Sequence, residues 1–125
     1  MARSQARSKR KVSGGRYHPA RSKRGTELAG YPAMTKIDES AKLRTKRVIG
    51  GNTKNYLLTA KEINVANKGK VTKTEMVNVL ENPANPNLVG RNVITKGAIV
   101  ETKLGKVRIT SRPGQEGSVS GVLIS

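Results

Sequence analysis

The chain has 125 residues, with 25 Lys and Arg against 8 Asp and Glu and a formal net charge of +17. Only 34% of it is hydrophobic and it contains no Cys, Trp or Phe, which excludes a disulfide scaffold, a Cys-ligated zinc or iron–sulfur site and a thiol nucleophile. No stretch of about 18 apolar residues occurs and the basic start lacks the apolar segment of a signal peptide, so the expectation is a soluble, cytoplasmic protein made of one small domain and a tail.

Residues 1–24 carry Arg3, Arg7, Lys9, Arg10, Lys11, Arg16, Arg21, Lys23 and Arg24 before the first acid, Glu27. Residues 1–54 hold 15 basic and 3 acidic side chains, whereas residues 55–125 hold 10 and 5. A one-signed block of this density repels itself and has too few apolar groups to collapse alone. Residues 1–40 are therefore expected to be a long basic N-terminal extension, disordered when free. The run is rich in Arg, whose planar fork matches phosphate oxygens, so the expected partner is a nucleic acid. The stretch lacks the apolar face of an interfacial helix, and no membrane partner is expected. A nuclear-import signal is the other reading of such a run. Tyr17, between Arg16 and His18, offers a ring on which a base or ribose stacks.

Residues 41–125 change character: Val, Ile and Thr become frequent, with Gly and Asn between them. Arg47-Val48-Ile49 and Tyr56–Leu58 flank a Gly50-Gly51-Asn52 turn. That turn reads either as a tight hairpin needing positive φ or as a phosphate approach in which Asn52 and Lys54 supply donors. Tyr56 is expected in the core. Lys61–Asn67 reads as a strand, with a helical turn at Ala60–Glu62 as the alternative. Lys70–Leu80 is a strand because β-branched residues dominate it. Alternation there puts Val71, Lys73, Glu75, Val77 and Val79 on one face. Glu81–Asn87, with Pro83 and Pro86, is a loop. Leu88–Thr95, Ala98–Thr102, Lys106–Ser111 and Ser118–Ile124 are further strand candidates, divided by Lys96-Gly97, Leu104-Gly105 and the Arg112–Gly117 loop. Five to seven short strands at this spacing predict a mainly β fold, a small β-barrel whose closure removes exposed edges.

Chemistry beyond binding finds little support. Both Gly-Lys pairs precede Val, so there is no Walker loop. His18 is the lone His, set among cations, and the eight acids are scattered. No catalytic residue, cofactor or metal site is expected. Ser111-Arg112-Pro113-Gly114-Gln115 places a guanidinium and an amide on a Pro-Gly turn, either as a binding group on a rigid platform or as an ordinary surface turn. Its Gly114–Gly117 spacing matches the GxxG of KH domains, but with strand rather than helix on both sides.

Several segments together carry a family likeness: Ser13-Gly14-Gly15; Lys23-Arg24 with Glu27-Leu28; Pro32 with Thr35-Lys36-Ile37; Arg47-Val48-Ile49-Gly50-Gly51-Asn52 with Lys54; Asn82-Pro83-Ala84-Asn85 with Asn87-Leu88-Val89; Ile94–Val100; and Ser111–Gln115 with Gly117. On these the chain resembles ribosomal protein eight of the archaeal and eukaryotic small subunit, in its short archaeal-type form. The charged insertion that eukaryotic members carry before the Ser111 motif is absent. The resemblance implies a structural component of the small ribosomal subunit, a monomer within the ribosome, bound to small-subunit ribosomal RNA and to neighbouring ribosomal proteins. The expected RNA-binding residues are Arg3, Arg7, Lys9, Arg10, Lys11, Arg16, Tyr17, Arg21, Lys23 and Arg24 on the extension. Lys36, Arg44, Lys46, Arg47, Asn52, Lys54, Arg112 and Gln115 follow, most of them as one face of the barrel. A DNA- or chromatin-coating protein outside the ribosome is the competing reading of the same charge.

Overall fold

The computed structural model describes residues 7–124. It divides into two compact units, one ending at Tyr31 and the other beginning at Pro32. The second unit is mainly β, with eight strands: β1 (Lys36–Ile37), β2 (Lys42–Arg47), β3 (Thr53–Ala60), β4 (Glu62–Asn67), β5 (Lys70–Glu81), β6 (Ile99–Thr102), β7 (Gly105–Ile109) and β8 (Ser120–Leu123). Strands β4 to β8 close a five-stranded barrel, and β1, β3 and β2 form a three-stranded sheet in that order. The barrel closes by the parallel pairing of β4 with β8, Val65 lying opposite Gly121.

Closure rests on small and β-branched side chains. Ile63, Val65, Met76, Val79, Ala98, Val100, Val107, Ile109 and Val119 fill the core, joined by Ile94 and by Leu57 and Ala60 of β3. No aromatic ring lies among them, so the barrel must be narrow enough for aliphatic groups to fill. Gly121 reports how narrow it is. A Cβ there would stand 2.5 Å from Val107 Cγ1 and 2.8 Å from the Arg108 carbonyl oxygen.

Lys70–Glu81 is the expected strand, but its buried face is not a simple alternation. Met76 and Val79, three positions apart, point into the core, while Val71 and Val77 are exposed. The register against β6 slips between Met76 and Asn78 and again between Val79 and Glu81. Each slip is a bulge, which inserts a residue and reverses side-chain parity. Leu88–Thr95 is not a strand. Residues Pro86–Arg91 form a 3-10 helix, started by the Asn85 side chain accepting from Asn87 N–H and by Pro86 in the first turn. Fixed φ and a missing donor suit Pro to that position. Val93 and Ile94 are nonetheless buried, delivered to the core by irregular backbone.

Residues 32–40 fold with the second unit, whereas sequence places them in the extension. Thr35 is fully buried and its hydroxyl donates to the Leu57 carbonyl at 2.6 Å. Ile94 N–H donates to the Thr35 carbonyl and Ile37 N–H to that of Asn92. These anchors are backbone groups and one hydroxyl, which composition does not reveal. Tyr56 is half-buried and outside the core cluster, because it shares a face with Arg44 rather than with Leu57.

Candidate nucleic-acid interface

The densest cationic feature of the second unit is the β2–β3 hairpin. Its turn is closed by Val48 N–H donating to the Asn52 carbonyl at 2.8 Å and by the Asn52 side-chain amide donating to the Ile49 carbonyl at 3.2 Å. Gly50 and Gly51 both take positive φ, 77° and 75°, the region that a Cβ disfavours. The hairpin reading of Gly50-Gly51-Asn52 therefore holds, and the Asn52 amide is engaged within the turn.

Below the turn, Lys46 lies opposite Lys54 and Arg44 opposite Tyr56. Directly paired residues of an antiparallel ladder share a face, so Arg44, Lys46 and Lys54 line one side with Tyr56. The pairs Leu43–Leu57, Thr45–Asn55 and Arg47–Thr53 line the other. From Ser40 to Lys61 the chain contains no Asp or Glu. Like charges directly opposite destabilise a ladder, and nothing local offsets Lys46 against Lys54. The arrangement can hold a polyanion, whose phosphates would remove that repulsion.

The Arg112–Gly117 loop packs on the other side of the hairpin. A Cβ on Gly117 would stand 3.3 Å from Leu43 Cδ1 and 3.6 Å from Asn55 Cβ. Pro113 is buried and its carbonyl accepts from Leu57 N–H at 2.9 Å. Gly114 is close to Ala33, where a Cβ would lie 3.1 Å from the carbonyl oxygen. Ser111 Oγ accepts from Ser120 N–H at 2.9 Å. The Arg112 carbonyl accepts from both Gln115 and Glu116 N–H, and Arg112 N–H donates to the Glu116 carboxylate at 3.3 Å. The motif is thus a packing clamp that leaves the Arg112 and Gln115 side chains exposed. Arg44, Lys46 and Lys54 do not share a single face with Arg47, Arg112 and Gln115; the hairpin lies between the two groups. Lys36 is exposed on β1, which pairs with the β3 edge away from β2.

Among the described residues of the first unit none is buried, so it has no core of its own. Arg3 lies outside the described residues. Lys9–Tyr17 forms a small hairpin: Arg10 bridges Arg16, and Tyr17 N–H donates to the Lys9 carbonyl. The Tyr17 ring, expected to receive a base, carries the Arg7 guanidinium 4.0 Å and the Lys11 ammonium 5.7 Å from its centroid. Arg21 pairs with Glu27, and Arg24 N–H donates to the same carboxylate at 3.3 Å. These contacts lower the Glu27 pKa, the Arg21 hydrogen bond most, and raise that of Arg21. A cleft of about 960 Å³ is lined by Arg7, Lys9, Tyr17, His18, Arg21 and Lys23 among others.

The β4–β5–β6 wall, by contrast, carries matched charge. Lys73 pairs with Glu62 at 2.5 Å, and Glu75 with Lys103 at 2.6 Å and Lys61 at 3.6 Å. The Glu75 carboxyl is held below the usual carboxylate range, by its hydrogen bond from Lys103 first and then by the charges of Lys103 and Lys61. Among the described residues no group of three or more His, Cys, Asp or Glu could hold a metal ion, and no helix is long and apolar enough to cross a membrane.

A small β-barrel with an acid-free cationic hairpin, preceded by a coreless basic unit, defines a class: basic barrel proteins whose surface chemistry is charge neutralisation. A sequence profile of the family described as Ribosomal protein S8e matches residues 4–124. The chain is 50% identical over 122 residues to the small ribosomal subunit protein eS8 of Methanocorpusculum labreanum, an alignment covering 96% of this chain and 97% of that protein. It is 48% identical over 126 residues to the protein of the same name from Methanobrevibacter smithii, covering 99% and 100%. With that of Staphylothermus marinus identity is 47% over 126 residues, covering 99% and 98%. The chain belongs to the ribosomal protein S8e family, a family of ribosomal proteins rather than enzymes.

Proposed function

We propose that this protein is a structural constituent of the small ribosomal subunit, held there in the cytoplasm as a single copy by its contacts with ribosomal RNA. The observation that carries the reading is the β2–β3 hairpin, where Lys46 faces Lys54 and no acid lies between Ser40 and Lys61. Phosphates at Arg44, Lys46 and Lys54 relieve that repulsion and release counterions on binding. Arg47 and the exposed Arg112 and Gln115 engage RNA on the other side of the hairpin, so the hairpin is gripped from both faces. Lys36 adds a contact at the far edge of the sheet.

Residues 1–31 act as a basic extension, disordered in the free protein and ordered on RNA, while residues 32–40 belong to the second unit. The absence of any buried residue among positions 7–31 supports this, since ordering such a segment needs free energy from a partner. Arg3, Arg7, Lys9, Arg10, Lys11, Arg16, Arg21, Lys23 and Arg24 neutralise phosphates along it. Tyr17 contacts RNA as a stack shared with Arg7. Neighbouring small-subunit proteins complete the surroundings.

The test is a salt series of affinities for transcribed small-subunit rRNA against large-subunit rRNA and duplex DNA. The reading expects small-subunit rRNA to win at high salt, where non-specific charge fades. Preference for duplex DNA at equal salt would instead favour a chromatin-coating role.

A further inference from the structure

Two turns of this chain share a geometry that phosphate neutralisation does not require. At the tip of the β2–β3 hairpin, Val48 N–H donates to the carbonyl of Asn52, four residues on, at 2.8 Å. In the first unit, Lys11 N–H donates to the carbonyl of Gly15, again four residues on, at 2.7 Å. Each closed loop has an aliphatic residue in its second position, Ile49 in one and Val12 in the other. Each has a positive-φ glycine in its fourth, Gly51 at 75° and Gly14 at 83°. Each is flanked by cations on both arms: Lys46, Arg47 and Lys54 around the first, Arg10, Lys11 and Arg16 around the second.

The aliphatic tips are among the most exposed hydrophobic side chains of the described protein. Ile49 is 95% exposed and Val12 110%. An extended aliphatic group in water forgoes the free energy that burial would supply. These two are held outward by closed backbone rings, so the exposure is built into the turns. A partner for each tip must present an apolar surface within a field of negative charge. Duplex backbone offers the charge without the surface. An unstacked nucleotide, or an opened base step, offers both.

We propose that each turn is an aliphatic wedge that sets Ile49, and separately Val12, against exposed base faces of the ribosomal RNA while the flanking cations hold the adjacent phosphates. This inference rests on the rRNA-binding reading above and adds to it a type of RNA feature, looped-out or unstacked bases, that phosphate neutralisation does not require.

The experiment uses the full chain and transcribed small-subunit rRNA, with Ile49→Ser, Ile49→Val and Val12→Ser variants. Both positions are exposed, so thermal unfolding should match the parent protein and confirm intact folding. Ile49→Ser should weaken rRNA binding about five- to tenfold, the share of side-chain burial lost, with the salt slope unchanged. Ile49→Val should stay within about twofold, and Val12→Ser should fall between the two because Val buries less. Chemical probing should show a few unpaired nucleotides, protected by the parent protein, becoming reactive with Ile49→Ser. If Ile49→Ser binds within twofold and leaves the same footprint, the proposal is overturned while rRNA binding stands. If rRNA binding is intact but the variant fails to enter assembled small subunits, the tip faces a protein and the proposal is again overturned. A parent chain with no preference for small-subunit rRNA removes the underlying reading and the wedge with it.

Discussion

The β2–β3 hairpin and the β4–β5–β6 wall use the same residue types to opposite ends. On the wall three lysines have an acid within 4 Å: Lys61 and Lys103 share Glu75, and Lys73 meets Glu62. On the hairpin Lys46 meets Lys54 across the ladder and no acid occurs between Ser40 and Lys61. Both are antiparallel ladders, and the contrast between them is one of charge. A self-compensated surface is finished without a partner, whereas a surface of like charges is stabilised only when something anionic arrives. If the hairpin carries affinity as proposed and the barrel carries fold stability, substitutions in the two should separate cleanly.

The largest expected effect is on the barrel. Gly121→Val places carbon where Val107 Cγ1 and the Arg108 carbonyl already stand, at the β4–β8 closure. Overpacking of this kind should cost about 3 kcal/mol, read as a lowered urea midpoint. Added rRNA should recover part of it by mass action. If Gly121→Val unfolds at the parent midpoint, the barrel is wider at the β7–β8 pair than described. Next is the hairpin: the triple change Arg44→Ala, Lys46→Ala, Lys54→Ala should lower the rRNA salt slope by about one unit per lost phosphate contact. Its unfolding midpoint should hold or rise. A triple variant with an unchanged slope would show that the hairpin does not meet phosphate.

How much of this contrast could be read in advance differs between strands and faces. Lys70–Glu81, Ile99–Thr102, Gly105–Ile109 and Ser120–Leu123 were legible because β-branched residues and Gly breaks mark them. The buried face of Lys70–Glu81 was not, since two bulges reset its parity and only the partner strand shows where they fall. Leu88–Arg91, the larger part of the 3-10 helix, reads as strand because Leu88 and Val89 look β-like, although Asn85-Pro86 is a helix-start signal that outweighs them. For the candidate site, the cations themselves were plain from charge counting. Their division between two hairpin faces was not, because it depends on register, which a one-residue shift would invert. Arg112 and Gln115 likewise belong to a loop whose Pro-Gly is a packing clamp, a role set by Ala33 and Leu57 far away in sequence.

A finer test exchanges the two kinds of surface. Lys46→Glu gives the hairpin the wall's logic by setting an acid opposite Lys54. Replacing a like pair by an opposite one should stabilise the fold by about 0.2–1 kcal/mol and weaken rRNA binding beyond the loss seen with Lys46→Ala. Greater stability with weaker binding is the signature of a site held under charge repulsion for a partner. A Lys46→Glu protein that binds rRNA as the parent does would place the RNA elsewhere.

The smallest expected effect concerns acid. Glu75 is held below its ordinary pKa by the hydrogen bond from Lys103 and the charges of Lys103 and Lys61. Its folded value therefore lies under its unfolded one. A group shifted this way adds stability that is complete above the ordinary Glu value, about 4.3, and is lost as pH falls through the folded value. The ion pairs are exposed, so screening keeps the contribution small. Glu75→Gln should lower the urea midpoint slightly at neutral pH and flatten the acid limb, its curve meeting that of the parent once Glu75 is protonated in both states. The hairpin triple variant removes no acid and should keep the parental acid limb. An acid limb unchanged by Glu75→Gln would mean that the wall's stability does not come from its matched charges but from the aliphatic packing behind them.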